Sequence, residues 1–174
     1  MIKEEFEEFK KKKPDLEVVE HLRSKLIKYL PDCEEEIKNS PLIFISQLGK
    51  LLLQNMEDYS DLKKLGFCFK DQNITKEKIQ QIFKDQEKIK KSVVFFLEMI
   101  KNSKGLHKDE VNKRCSYFLY KNKKELNNKD VFHGIKFGMT GCILEILSLG
   151  EVCEILGREK VIRRLENYLT LLEI

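Results

Sequence analysis

Apolar residues recur at three- and four-residue spacings along most of this 174-residue chain, and no stretch sustains a two-residue alternation. That period belongs to helices and not to strands. Val18, Val19, Leu22, Leu26 and Leu30 form the first stripe, after Asp15, a good N-cap residue, and before Pro31, which stops the helix. Pro41 opens a strongly apolar helix in LIFISQLGKLLLQNM. DYSDLKKLGFCF reads as a short helix ending near Gly66 in a small aromatic plug, FCF. From Thr75, the positions Ile79, Ile82, Phe83, Ile89, Val93, Phe96, Leu97 and Ile100 predict one long amphipathic helix. Another covers His107 to Lys121, with Val111, Cys115, Phe118 and Leu119 inward, and Asn128 suits the cap of a helix that ends at FGMTG. The fold class expected from this pattern is all-α.

The polar segment KDQNITKEK, which has no apolar period, is the best internal boundary. With Pro14 closing a charged lead-in, the expected organisation is a lead-in or linker over 1–14 followed by two stacked helical subdomains, 15–73 and 74–174. Near the end, Ser148 and Glu151 have the spacing of a capping box, and Gly157 stands where a short helix should stop. Val161, Ile162, Leu165, Tyr168, Leu169 and Leu172 then share one face of a last helix.

Composition narrows the chemistry. Between Lys84 and Lys124 lie twelve Lys/Arg against five Asp/Glu, so this segment is more positive than the whole chain at +4. A basic middle on a nearly balanced protein suggests a polyanionic partner; a solvated lysine-rich face is the plainer explanation. The five cysteines (33, 68, 115, 142 and 153) form no C-x-x-C pair and sit in apolar or helical surroundings, as small buried residues of a reducing compartment do. His21, His107 and His133 are too scattered for a zinc site, and His133 has no partner at a catalytic offset. The eight glycines form no phosphate-cradling loop. No apolar run is long enough to span a membrane and the N-terminus does not read as a signal sequence, so the expected location is the cytoplasm.

The specific signal lies between Lys136 and Leu169. Lys136-Phe137-Gly138-Met139-Thr140-Gly141 is followed by a short helix and then by Leu156-Gly157-Arg158-Glu159-Lys160-Val161-Ile162-Arg163-Arg164-Leu165. This succession resembles the closing segment of the anticodon-binding region of bacterial-type glutamyl-tRNA synthetases, with its [RK]-x-x-x-T-G turn and its L-G-[KR]-E-[RK]-x-x-x-R-L end. QNMEDYSDLKKLGFCF is similar to that family's short helix with an aromatic plug, and LEVVEHLRSKLIKYL to its opening helix. The resemblance spans 15 to 172 and is strongest in the last forty residues.

The resemblance implies the anticodon-binding part of a glutamate–tRNA ligase, acting in translation as a monomer with tRNA(Glu) as partner and no membrane. It implies no cofactor here. ATP and Mg serve the parent enzyme's catalytic domain, whose HIGH and KMSKS signatures this sequence lacks; HGIK at His133 is not one of them. The implied tRNA-binding residues are Lys136, Thr140 and Gly141, the loop Leu147-Ser148-Leu149-Gly150, Arg158, and Gln54 or Asn55. Tight turns at Thr140-Gly141 and Ser148-Gly150 would offer backbone N–H groups to base edges, with Lys136 and Arg158 on the same side. Lys136 stands where most similar members carry Arg, keeping the charge but not the bidentate fork. Gln54 or Asn55 replaces the arginine with which discriminating members reject tRNA(Gln), so tRNA(Gln) becomes a second expected partner. A helical protein–protein interaction module derived from the same fold is the alternative, favoured if Lys136, Arg158 and the middle lysines fall on different faces.

Overall fold

The computed structural model describes residues 15–125 and 128–172, apart from the side chains of Leu53, Gln54 and Asn128. The expected lead-in over 1–14 and the capping role of Asn128 lie outside the described residues. Among those described there is helix and no strand, so the protein is all-α. The chain divides between Asp71 and Gln72 into two compact units.

In the first unit, helix α1 (Leu16–Tyr29) starts at Asp15, whose carboxylate accepts the Val18 N–H at 2.9 Å. A 3-10 turn at Pro31–Cys33 and the short helix α2 (Glu34–Asn39) lead to α3 (Leu42–Asn55). The acidic stretch after Pro31 is thus itself helical. α1 packs on α3 and on the residues from Tyr59 to Cys68, burying Leu22, Leu26, Ile45, Leu48, Leu52 and Leu62 completely or nearly so.

The 59–68 segment departs from expectation in kind. It winds as a 3-10 helix and runs past Gly66 to Cys68. The reason is its apolar period: Tyr59, Leu62, Leu65 and Cys68 fall at strict intervals of three and all four are buried. A three-residue repeat aligns on one side of a 3-10 helix, whereas on an α-helix it would drift around the axis. Asp58 holds the start by accepting the Ser60 N–H at 2.6 Å. The aromatic plug closes the segment, with Phe69 edge-on to Phe44 at 6.0 Å between centroids.

The second unit contains α4 (Lys76–Ile82), α5 (Gln86–Asn102), α6 (Lys108–Lys121), α7 (Asn128–Thr140), α8 (Leu149–Leu156) and α9 (Arg158–Leu172). α5 packs against α7 and α9, and α6 against α8. The long helix expected from Thr75 to Ile100 is two helices, broken at Phe83. That residue is extended (φ −117, ψ 119) and buried, its ring edge-on to Phe137 at 5.5 Å, and Phe137 in turn meets Tyr168 at 6.2 Å. Asp85 restarts the chain by accepting the Lys88 N–H at 3.1 Å. Burial of one aromatic ring, combined with a capping carboxylate two residues later, outweighs the few backbone bonds lost at the break.

Phe83→Ala should therefore destabilise the second unit by about 3–5 kcal/mol, the usual cost of emptying an aromatic site. A shift of the urea midpoint reads this. A shift within error of wild type would show that the break does not depend on the ring.

Candidate nucleic-acid interface

α7 ends at Thr140, and the eight residues before α8 begins form a turn built around Lys136. The Lys136 side chain is buried, 7% exposed, and its Nζ donates to the carbonyls of Leu144, at 2.5 Å, and Leu147, at 3.2 Å. The ammonium thus draws residues 144–147 back onto the last turn of α7. Burial pushes its pKa below the ordinary lysine value, while Glu145, Cys142 and Glu151 push the other way. Thr140 Oγ1 donates to the Lys136 carbonyl at 2.8 Å and receives the Cys142 N–H at 3.5 Å, so it ties helix end to turn. Gly141 follows with φ +71, a left-handed C-cap conformation, and a Cβ there would also stand 2.5 Å from Gln72 Cβ.

The other side of the loop is equally fixed. Ser148 and Glu151 form the expected capping box: Ser148 Oγ accepts from Glu151 N at 3.2 Å, and the Glu151 carboxylate accepts from Ser148 N at 2.7 Å. Asn112 of α6 joins them, accepting from Gly150 N at 2.9 Å and donating to Ser148 Oγ at 3.2 Å. Position 150 must be glycine, because a Cβ would lie 2.2 Å from the Lys108 carbonyl oxygen. Leu147 and Leu149 are buried, and Ser148 is half-buried.

Lys136, Thr140, Gly141 and the 147–150 loop thus come together as one bonded unit. The N–H groups of Gly141, Ser148 and Gly150 are satisfied inside it, by Phe137 O, Glu151 and Asn112 respectively. They do not stand free for base edges, because a helix start packed on a neighbouring helix must satisfy its donors locally. What the turn presents outward is Ile143 and Glu145.

Arg158 is placed elsewhere. It is exposed at the start of α9, and its Nη2 donates to the Lys101 carbonyl at 2.5 Å, at the end of α5. Most of the remaining exposed lysines of the basic middle gather around the start of α5 and the end of α6, where Lys91 pairs with Glu125 at 2.6 Å. Along α5, Lys91 and Lys88 lie ten and thirteen residues before Lys101, so the two groups stand about 15–20 Å apart. Asn55 ends α3 in the first unit, exposed, with Nδ2 donating to Leu51 O at 2.8 Å. Gln54 lies in the same helix, and its side chain is outside the described residues.

The sequence reading missed Asn112 as a residue of the turn and gave Arg164, taken alone, a structural role. Asn112 carries no pattern of its own inside α6. Arg164 is buried and its Nη1 donates to Met139 O at 2.7 Å, tying α9 to the end of α7. It follows Val161 by three residues and precedes Tyr168 by four, so helical spacing does put it on the inner face.

Residues 17–169 match the family model of the anticodon binding domain. The chain belongs to that family. Its partner is therefore tRNA, and its process translation. No curated protein matches the sequence. Among the described residues, no helix is long and apolar enough to cross a membrane, and no group of His, Cys, Asp and Glu could hold a metal ion. None of the five cysteines is in a disulfide, and burial pushes the Cys115 thiol up to about 12.

Lys136→Met keeps the length but leaves the carbonyls of Leu144 and Leu147 without their shared donor. The expected loss is about 1–3 kcal/mol in chemical denaturation. A neutral result would mean that the ammonium is not what holds the loop. His133, one turn before Phe137, faces Glu145 at 4.0 Å, and burial, then Lys136 and Lys129, hold its pKa below 6.5. The unfolded chain takes up that proton first as pH falls, so stability is lost below pH 6.5 down through the lowered folded value. His133→Gln should flatten this acid limb in melts from pH 7 to 4.5; an unchanged slope would exclude His133 as its source.

Proposed function

We propose that this anticodon-binding domain is the tRNA-selecting part of a glutamate–tRNA ligase, accepting tRNA(Glu) and also tRNA(Gln). The observation that carries the reading is the turn from Lys136 to Glu151. The residues of the family-like motif Lys136-x-x-x-Thr140-Gly141 form one hydrogen-bonded cluster, within a family match that covers most of the chain. An unpaired anticodon base is read by a rigid surface of defined shape, and single-stranded loops are where proteins obtain RNA specificity.

In this reading Lys136, Thr140, Ser148 and Gly150 act by fixing the turn, and the neighbouring exposed groups touch RNA. Lysines of the 84–124 region attract phosphates, and Arg158 supplies charge at the far end of α5. Gln54 or Asn55, in place of an arginine, leaves the third anticodon base open to both tRNAs. The domain contributes binding and selection as a monomer in the cytoplasm. ATP, Mg and bond chemistry belong to the parent enzyme's catalytic domain.

One observation favours the second reading, a helical interaction module: Lys136 is inside and Arg158 sits apart from the lysines at the start of α5 and the end of α6, so the expected shared basic face is divided. Gel-shift titration separates the two. A tRNA(Glu) transcript should bind on the order of 10-fold tighter than the same transcript with its anticodon scrambled, since a misread base costs about 1–3 kcal/mol. tRNA(Gln) should bind within a few-fold of tRNA(Glu), and all affinities should fall with salt. Equal constants for cognate and scrambled transcripts, with a flat salt response, would leave the interaction module standing.

A further inference from the structure

The outer face of α6 carries a surface that the turn does not account for. Val111, Cys115 and Leu119 are buried, and Phe118 stacks on Phe95 of α5 at 3.7 Å and 9°. That packing fixes the rotation of α6. At 100° per residue it leaves Lys113, Tyr117 and Tyr120 on the opposite side, at i, i+4 and i+7. Tyr117 is 60% exposed and Tyr120 70%, and no other Tyr or Phe among the described residues stands as open.

The charge around the two rings is predominantly positive, although Glu110 pairs with Arg114 at 2.5 Å. Residues 111–124 include five Lys/Arg and no Asp or Glu. Lys121 Nζ lies 4.8 Å from the Tyr117 ring centroid, and Lys123 Nζ 5.4 Å from that of Tyr120. Past the end of the helix, Lys124 lines an open groove with Lys88, Lys90, Lys91 and Val94. The groove also holds Glu87 and Glu125, the latter paired with Lys91.

We propose that this face is a platform for unpaired RNA, on which Tyr117 and Tyr120 each stack one base while Lys113, Lys121, Lys123 and Lys124 hold the adjoining phosphates. The inference rests on the reading of the chain as a tRNA-binding domain and adds a second contact surface to it. Exposed aromatic rings set among cations are what sequence-tolerant single-strand binding requires, because every base has a π-face and the backbone carries the charge. The lysines already over the rings do not block it. A cation over an exposed ring is held more weakly than a stacked base, so Lys121 and Lys123 exchange ring for phosphate when a strand arrives. The position suits a strand leaving the turn. Tyr117 and Tyr120 lie five and eight residues beyond Asn112, which holds Ser148 and Gly150, or about 8 and 12 Å along α6.

The chain has five tyrosines and no tryptophan, so tyrosine emission reports the stacking directly. A five-nucleotide oligouridylate should quench that emission, and the same strand in a duplex should not. Tyr117→Ala and Tyr120→Ala should each weaken binding of the oligouridylate about 5- to 150-fold, while Tyr117→Phe and Tyr120→Phe keep it. Both positions are exposed, so thermal melts should match wild type. Alanine variants that bind like wild type would overturn the platform, as would phenylalanine variants that lose as much as alanine. So would a change in sedimentation with RNA affinity unaltered, which would mark a face for a second protein. Titration of cognate and scrambled tRNA(Glu) into the same variants separates the two proposals. The platform predicts equal losses for both transcripts, with their ratio preserved. A wild-type ratio of one removes the glutamate reading and leaves the stacking result intact, whereas a preserved ratio with no loss in the alanine variants removes the platform alone.

Discussion

One buried charge organises the end of the second unit. Moving an ammonium out of water is costly unless its donors find acceptors, and Lys136 finds them in the carbonyls of Leu144 and Leu147. Those two carbonyls lie in a segment with no regular structure, where they would otherwise need water or a partner. Each problem is the other's solution. Because the acceptors are three residues apart, satisfying both at once fixes the path of the chain between α7 and α8. Thr140 and Gly141 fix its start, and the Ser148–Glu151 box with Asn112 fixes its end.

The turn is therefore rigid for reasons internal to the fold, which changes what its residues can do for a ligand. A backbone N–H already bonded to Asn112 or Glu151 is not available to a base. The selectivity of such a turn comes from where it places its neighbours, with hydrogen-bond donation left to other groups. The same division runs through the basic residues. Lys136 and Arg164 are structural cations that cap carbonyls at the end of α7 and in the loop after it, whereas the lysines of α5 and α6 stay in water. Counting charge along the sequence merges these two populations; burial separates them.

How much was legible follows from which period dominates locally. The fold class, the capping box and the last helix could be read, because four or more apolar residues on one helical face leave little freedom. The Thr75–Ile100 stretch misled because Phe83 keeps the helical spacing although its backbone is extended. Its ring is drawn to Phe137, more than fifty residues away, and no local pattern announces that contact. The 3-10 segment was readable in principle, in the strict threes of Tyr59, Leu62, Leu65 and Cys68. At the site, the sequence motif marked residues that the fold brings together, but their orientation was not legible. Whether Lys136 points out or in depends on acceptors eight and eleven residues ahead, and Asn112 depends on a helix start 36 to 38 residues away.

The open tyrosines of α6 follow from the same packing rule in reverse. Phe118 and Leu119 are taken inward, so Tyr117 and Tyr120 are forced out, where the rings gain only the weak cation–π contacts of Lys121 and Lys123. Lysine, glutamate or alanine would serve the helix as well or better, with a better intrinsic propensity. Burial accounts for Phe83, Phe96 and Phe137 in the second unit and does not account for these two rings. Their neighbours are all cationic or neutral from 111 to 124, which suits a partner face rich in phosphate better than one rich in lysine and arginine. In a protein whose family binds tRNA, the two unexplained rings and the predominantly positive charge around them point to the same kind of ligand, and neither feature requires the other for the fold.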